Sequence, residues 1–243
     1  MTNYDDFLEL VKYRRSIRKY RPDPVPDDYI IKILDAARYA MSGGNSQPWE
    51  FIVVKDSATR KKLYDAYVEG DFEKMLNIEQ MRVIDYRHPG LRIPYEERDK
   101  ALAMATGWKE APVIIAVLKD PRKQWGSVLV AHERPDLAVL AATMGHLSMT
   151  LQLAAASLGL GSNRVDVSVQ APYRAVLGYP EPLLLDILVP IGYRATEPGP
   201  PHRLNLDEQV HHEKYDMSKY MQHKDFLKYI ERIRVLGQPG YQV

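Results

Sequence analysis

A chain of 243 residues, 45% apolar and 27% charged, has the make-up of a globular protein of one or two domains, which excludes disordered, collagen-like and coiled-coil chains. Its 33 Lys and Arg against 32 Asp and Glu leave a net charge of +1, too balanced for a protein that coats nucleic acid or an acidic membrane, though a local anion site stays open. The absence of cysteine removes disulfides, thiolate nucleophiles, Cys-ligated zinc and iron–sulfur clusters.

Near the N-terminus, Asp5, Asp6 and Glu9 stand where a secretory leader has a basic start and an apolar run, so the expected compartment is the cytoplasm. Asn3 to Lys12 places Phe7, Leu8 and Val11 at helical spacing, and Arg14, Arg15 and Arg18 follow where the helix dipole favours cations. Pro22, Pro24 and Pro26 form an extended connector, after which Asp27 and Asp28 are placed to cap a second helix ending near Met41. Its apolar face carries Ile30, Ile33, Leu34 and Ala37. The turn-rich Ser42 to Pro48 precedes a strand over Trp49 to Val54, so polar loop residues sit at the mouth of a strand.

A helix is expected over Thr59 to Val68. From 69 to about 109 the pattern turns charged and aromatic and is broken by His88-Pro89-Gly90 and Ile93-Pro94, which reads as an excursion or lid. Val113 to Leu118 reads as a strand buried on both faces. Leu137 to Leu160 repeats apolar residues at three and four until Gly159 and Gly161, marking a central helix. That run is long enough for a membrane span, but Thr143, His146, Thr150 and Gln152 favour a buried helix, and no membrane partner is expected. A short helix over Ala171 to Leu177 and a strand over Leu183 to Ile191 follow. The last forty residues are polar around Phe226, Leu227 and Ile230, too poor in apolar side chains to form a core alone, and are expected to wrap another surface.

Nucleotide motifs are missing: Gly159-Leu160-Gly161 meets Arg164 where a Rossmann turn has its third glycine, and no P-loop exists. Gly44-Asn45-Ser46-Gln47 approaches a nucleophile elbow but carries Pro48 last and precedes its strand. His211 and His212 are adjacent and no H-E-x-x-H is present, so no metal site is expected. What remains is Arg14-Arg15-Ser16-Ile17-Arg18, the loop Ser42 to Trp49, the turn Gly159 to Asp166, and Pro201-His202-Arg203-Leu204-Asn205. Arginine forks match phosphate, and hydroxyl and backbone N–H groups add donors, so together these suit an anionic ligand rich in oxygen. Singly, each has an ordinary reading as a dipole complement, turn chemistry or a surface arginine.

Two of these segments, Tyr13-Arg14-Arg15-Ser16-Ile17-Arg18-Lys19-Tyr20 and Ser42-Gly43-Gly44-Asn45-Ser46-Gln47-Pro48-Trp49-Glu50-Phe51, resemble in order and separation the signature of the FMN-dependent nitroreductase superfamily. Ala111-Pro112-Val113-Ile114-Ile115, Leu158-Gly159-Leu160-Gly161-Ser162 and Arg203-Leu204 extend the resemblance over nearly the whole chain except about 69–108. It implies an α+β, nitroreductase-like fold: a central, mostly antiparallel sheet flanked by helices, in an intertwined homodimer. Residues 1–243 would form one FMN-binding domain with a lid or insertion at about 69–108 and a wrapping tail at about 204–243. The resemblance puts Arg14, Ser16 and Arg203 on the FMN phosphate and ribityl chain, Arg15 beside them, and Arg18 at the pyrimidine end of the flavin ring. It puts the backbone N–H of Asp166 at flavin N5, and takes Ser42, Gly43 and Asn45 to the flavin of the partner subunit. Val167 stands where related sequences often have glycine.

The implied reaction is a ping-pong hydride transfer: NADH or NADPH reduces bound FMN at N5, then a small aromatic acceptor, nitroaromatic or quinone, takes the electrons. No side chain is assigned as catalytic, and no motif chooses between NADH and NADPH. Tyr67, Phe72, Tyr86, Arg87, His88, Arg92, Tyr95 and Trp108 can form an aromatic and cationic cover over the acceptor, or simply pack an insertion. The Gly43-Gly44-Asn45 loop and the long insertion also resemble the flavin-destructase and reductive-dehalogenase branch. A non-catalytic flavin-binding homodimer is the alternative from outside enzymology.

Overall fold

A computed structural model of the protein describes residues 3–87, 94–99, 107–123, 138–199 and 203–236. The chain divides into two compact units, 1–73 with 105–196, and 74–104 with 197–243.

In the first unit, α1 (Tyr4–Tyr13) starts at Asn3, whose side chain accepts the Asp6 N–H at 2.8 Å, and has acidic residues in its first turn and Lys12 in its last. α2 (Asp27–Ala37) differs from expectation at its start. Pro26, with φ −58° and ψ 142°, takes the N-cap position without a side-chain bond, and Asp27 and Asp28 fall inside the first turn. Their charges still complement the helix dipole there.

β1 (Trp49–Val54) is followed by α3 (Ser57–Ala66), capped by Asp56, which accepts the Thr59 N–H at 2.7 Å. A π-helical turn over Tyr67–Phe72 then leads directly into α4 (Glu73–Met81), which past Glu73 is counted with the second unit, so the helical run extends past the Val68 expected from sequence. β2 (Val113–Lys119), α5 (Ala138–Ser157), β3 (Gly161–Ser162), β4 (Val165–Asp166), α6 (Ala171–Leu177) and β5 (Leu184–Gly192) complete the unit.

The five strands form one sheet in the order β1-β2-β5-β3, with β4 also paired to β5, and every pairing is antiparallel. Strand alternation divides β2 between two cores. Val113, Ile115 and Val117 pack with Ile33 of α2, Leu147 and Leu151 of α5 and Val189 of β5. Ile114, Ala116 and Leu118 pack on the other face with Leu63 of α3, Tyr173 of α6, Trp108 and Leu188. Helices on both faces of an antiparallel sheet make this an α+β architecture.

α5 is long and apolar enough by length and composition to cross a membrane, yet Leu140, Met144, Leu147, Leu151 and Ala155 are buried in the sheet-facing core. Thr143, Ser148 and Gln152 are buried too, while Ala141, Ala142, Gly145 and Met149 lie exposed.

The second unit joins the excursion to the tail. Tyr86 packs against Phe226 of α8 (Phe226–Leu236), with ring centroids 6.3 Å apart. α7 (Leu206–Gln209) is closed by a capping box between Asn205 and Glu208, and Arg232 of α8 grips Glu208 through two bonds of 2.7 and 2.8 Å.

One contact in the first unit is tighter than a side chain allows. A Cβ placed on Gly161 would lie 2.8–2.9 Å from Cβ and both γ carbons of Ile17. Because Ile17 branches at Cβ it cannot swing aside. Gly161→Ala is therefore expected to lower the unfolding free energy by about 1–3 kcal/mol in urea titrations. Its loss should be less than additive with that of Ile17→Ala. An unaltered single variant would contradict this packing.

Candidate functional site

The cationic segment leaving α1 is held along its length by main-chain bonds. Ile17 N–H donates to the Ser162 carbonyl at 2.8 Å, and Ser16 bridges Ser162 in the parallel sense, so the segment runs beside β3. Further on, Arg21 N–H donates to Tyr193 O at 2.9 Å and Ala195 N–H to Lys19 O at 3.1 Å, which fastens it to the residues after β5. Arg194 donates to Tyr13 O at 2.8 Å and lies 3.7 Å over the Tyr13 ring, placing a cation at the C-terminus of α1.

Within this frame Arg14, Arg15 and Arg18 are half-buried and Ser16 is exposed. Arg14 Nη1 donates to Gln152 Oε1 of α5 at 3.3 Å, and the Gln152 amide nitrogen donates in turn to the Ser148 carbonyl and hydroxyl at 3.3 and 3.2 Å. Gln152 is thus oriented by its own helix so that its oxygen meets the guanidinium. Three arginines and a hydroxyl on five consecutive residues, fixed by the sheet edge, form a donor set suited to a phosphate dianion. That donor set is the observation on which the fit to FMN rests.

Asp166 belongs to the same region. It ends β4, paired with Ile187, and its exposed carboxylate accepts from Arg164 Nε at 2.7 Å. The side chain is therefore committed to a surface ion pair, leaving the backbone as the group to consider for a ligand.

The loop Ser42 to Gln47 is compact and strained. Gly44, Asn45 and Gln47 have φ of 59°, 53° and 44°, and two of these carry side chains in the left-handed region. Local bonds hold it there: Gln47 N–H donates to Ser42 Oγ at 3.1 Å and the Gln47 amide donates to the Asn45 carbonyl and Oδ1, each at 3.3 Å. Gly43 N–H donates to Thr143 Oγ1 of α5 at 3.4 Å.

Loop and cationic segment thus reach α5 at Thr143 and Gln152. Nine helical residues correspond to about 13 Å of rise and, at about 100° per residue, about half a turn around the axis. The two contact points thus lie on opposite sides of α5. Arg203 is exposed and belongs to the second unit.

The aromatic cover expected over the acceptor is only partly exposed. Phe72 and Trp108 are buried, 2% and 1% exposed, and Trp108 receives the edges of Tyr64 and Tyr67 at 5.4 and 5.6 Å between ring centroids. These two side chains are core: Phe72 ends the π-helical turn facing inward, and Trp108 is buried in the short turn Gly107–Glu110 ahead of β2. Tyr86 and Arg87 belong to the second unit, where Arg87 donates to the Gln80 side chain and carbonyl at 2.9 and 2.7 Å. His88, Arg92 and the Tyr95 side chain lie outside the described residues, as does His202.

The profile of the nitroreductase family matches residues 11–193. The chain belongs to the nitroreductase family. It is 32% identical over 211 residues to a protein of Thermus thermophilus named NADH dehydrogenase, covering 81% of this chain and 91% of that one. It is 31% identical over 178 residues to the 5,6-dimethylbenzimidazole synthase of Rhodospirillum rubrum, covering 72% and 76%. In fold it resembles an iodotyrosine deiodinase whose structure holds FMN and 3-iodo-L-tyrosine, with a TM-score of 0.62 and 19% identity over 86% of this chain and 99% of that one.

Two members of the site were not singled out from sequence: Gln152, which meets Arg14, and Tyr20. A buried polar residue on an otherwise apolar helix must find a partner, and that was the available signal for Gln152. Tyr20 is buried and its hydroxyl donates to Ile17 O at 2.5 Å and lies 3.2 Å from Pro190 O, clamping the turn of the cationic segment. Burial pushes its hydroxyl far above the ordinary tyrosine range, against a smaller downward pull from Arg18.

The unfolded tyrosine ionises near pH 10, while the native one keeps its proton above that. The contribution is thus complete below pH 10 and is lost as pH rises beyond it, by up to about 1.4 kcal/mol per pH unit. Denaturant titrations from pH 8 to 11 should show a shallower alkaline loss in Tyr20→Phe than in the parent. Parallel curves would contradict the buried, protonated hydroxyl.

Proposed function

We propose that this nitroreductase-family chain is a flavin-dependent oxidoreductase that binds FMN at the segment after α1 and passes electrons from NADH or NADPH to a small aromatic acceptor, a nitroaromatic or a quinone. The observation that carries the reading is the fixed row of Arg14, Arg15, Ser16 and Arg18 beside the Gly161-Ser162 edge. FMN, when bound, supplies two-electron transfer through N5.

Arg14, with Gln152 behind it, and Ser16 hold the phosphate and ribityl chain, and Arg15 adds charge next to them. Arg18 faces the pyrimidine end, where a guanidinium stabilises the negative charge that reduction leaves. The Asp166 backbone N–H is the donor assigned to N5. Arg203 joins the FMN-binding set on the resemblance. The names of the relatives, an NADH dehydrogenase and an FMN-containing deiodinase, agree with this chemistry.

Two features of one chain support a homodimer. The loop carrying Ser42, Gly43 and Asn45 meets α5 at Thr143 through the Gly43 N–H, nine residues along the helix from the Gln152 that meets Arg14, which favours its serving the flavin of a partner subunit. The exposed small and apolar side of α5, with the exposed Tyr4 and Phe7 of α1, offers the surface such a partner would cover.

A second reading, oxidative destruction of the flavin or reductive dehalogenation, draws on the 31% identity to the 5,6-dimethylbenzimidazole synthase and on the deiodinase-like fold. Reoxidation separates the destructase from the rest: a reductase or dehalogenase returns its FMN intact in air, whereas a destructase consumes it, and release of halide from a halogenated phenol marks the dehalogenase.

Purified protein should be yellow, elute as a dimer, release FMN on heating, and bleach when NADH or NADPH is added without oxygen. Arg14→Ala combined with Ser16→Ala should weaken FMN binding by about 10- to 100-fold, the loss of charged hydrogen bonds. Colourless protein that takes up no FMN contradicts the proposal. Yellow protein that neither donor bleaches leaves a flavin-binding dimer in place of the reductase.

A further inference from the structure

The segment carrying the Asp166 amide is gripped from a second side by a residue that the flavin-binding motifs do not include. β4 ends at Asp166, and residues 167–170 belong to no helix or strand before α6 begins at Ala171. Ser168, in the middle of that stretch, donates both its backbone N–H and its hydroxyl to Asp71 Oδ1, each at 2.6 Å. The other carboxylate oxygen, Oδ2, accepts the Tyr173 hydroxyl at 2.5 Å. Asp71 is 8% exposed and comes from the π-helical turn Tyr67–Phe72, distant in sequence but in the same compact unit.

Burying a carboxylate is costly unless donors surround it, and here three short bonds do so. The same contact raises the Tyr173 hydroxyl above its ordinary range, through burial first and then the bond to Asp71. Backbone packing keeps the turn and the segment together. A Cβ on Gly70 would come within 2.7 Å of Val169 Cγ2, so glycine lets the π-helical turn lie directly on the chain that follows Ser168.

We propose that Asp71 is a positioning residue for the Asp166 amide, acting through Ser168. The inference rests on the flavin reading above. On one side of Val167, Val165 and Asp166 are set by their pairing with Leu188 and Ile187 of β5; on the other, Ser168 is set by Asp71. One residue, itself β-branched and stiff, spans the two fixed points. The Asp166 N–H lies in the Val165–Asp166 peptide at the last pair of the two-residue strand β4, and with Ser168 held by Asp71 the end of that strand is kept from turning out of its pairing, which keeps the direction of the N–H. The strand end that carries this amide is thus held by a carboxylate in the turn ahead of α4. A pre-aimed donor is effective at a reacting atom because nothing need reorganise when charge develops there.

Asp71→Ala removes the acceptor for all three donors, while Asp71→Asn keeps an oxygen for Ser168 and turns its amide toward Tyr173. Three quantities are read: the rate constant for anaerobic reduction of bound FMN by NADH or NADPH, the KM for that donor, and amide hydrogen exchange over residues 166–169 in the cofactor-free protein. In Asp71→Ala the reduction rate constant should fall about 10- to 100-fold, as for a reacting group displaced by about an ångström, with KM unchanged. Exchange at Ser168 should rise, and Asp71→Asn should recover most of both. If the alanine variant does not fold, Asp71→Ser, with one acceptor left, is used in its place and the same loss is expected.

A melting temperature that falls while FMN is held and reduced at the parental rate would overturn the proposal, leaving Asp71 as a fold anchor only. A parent protein that takes up no FMN would sink the flavin reading, and this inference with it. A parent that is reduced normally beside variants of undiminished rate sinks this inference alone.

Discussion

The close approach of Ile17 to Gly161, with the Ile17 N–H on the Ser162 carbonyl, is the constraint on which the site depends. It turns the residues after α1 into an outer neighbour of the sheet edge, and so fixes the position of three arginines that would otherwise trail from a helix end. Tyr20, Arg21 and Arg194 tie the far end of the same segment to β5 and the residues beyond it. Charge alone does not make an anion site, because a loose segment loses backbone freedom when it binds; anchoring the backbone removes that part of the cost beforehand.

The sheet serves the site in a second way. β5 accepts β3 and β4 in succession along one edge, so the cationic segment and the Asp166 amide are placed by the same strand. From the opposite side the carboxylate of Asp71 closes on Ser168. The donors proposed for the phosphate and the amide proposed for the flavin are thus both set by main-chain bonds to rigid elements, the arrangement that gives a binding site its precision.

Much of this was legible in the sequence wherever periodicity was strong. The helices at Tyr4–Tyr13, Asp27–Ala37 and Ala138–Ser157 and the strands at Trp49–Val54, Val113–Lys119 and Leu184–Gly192 match their apolar patterns within a few residues. β3 and β4 are not legible, because two-residue strands beside glycine leave no alternation to read and the segment has the composition of a turn. Asp27 and Asp28 misled as caps because Pro26 already fixes the helix start. The π-helical turn left no periodic signal of its own, and with it went the inward direction of Phe72 and the buried role of Asp71. In the site, the residue types of Arg14, Ser16 and Arg18 announced anion chemistry, whereas Gln152 and Asp71 act through contacts across the chain that only the fold reveals.

The central claim is that the segment from Arg14 to Arg18 recognises a phosphate, and comparing two flavins that differ only in that group tests it most directly. Cofactor-free protein would be titrated with FMN and with riboflavin, following flavin fluorescence, for the parent and for Arg14→Ala. FMN should bind at least about 100-fold more tightly than riboflavin to the parent, in keeping with several charged hydrogen bonds, and the ratio should shrink sharply in the variant. Equal affinity of the parent for both flavins would contradict the account.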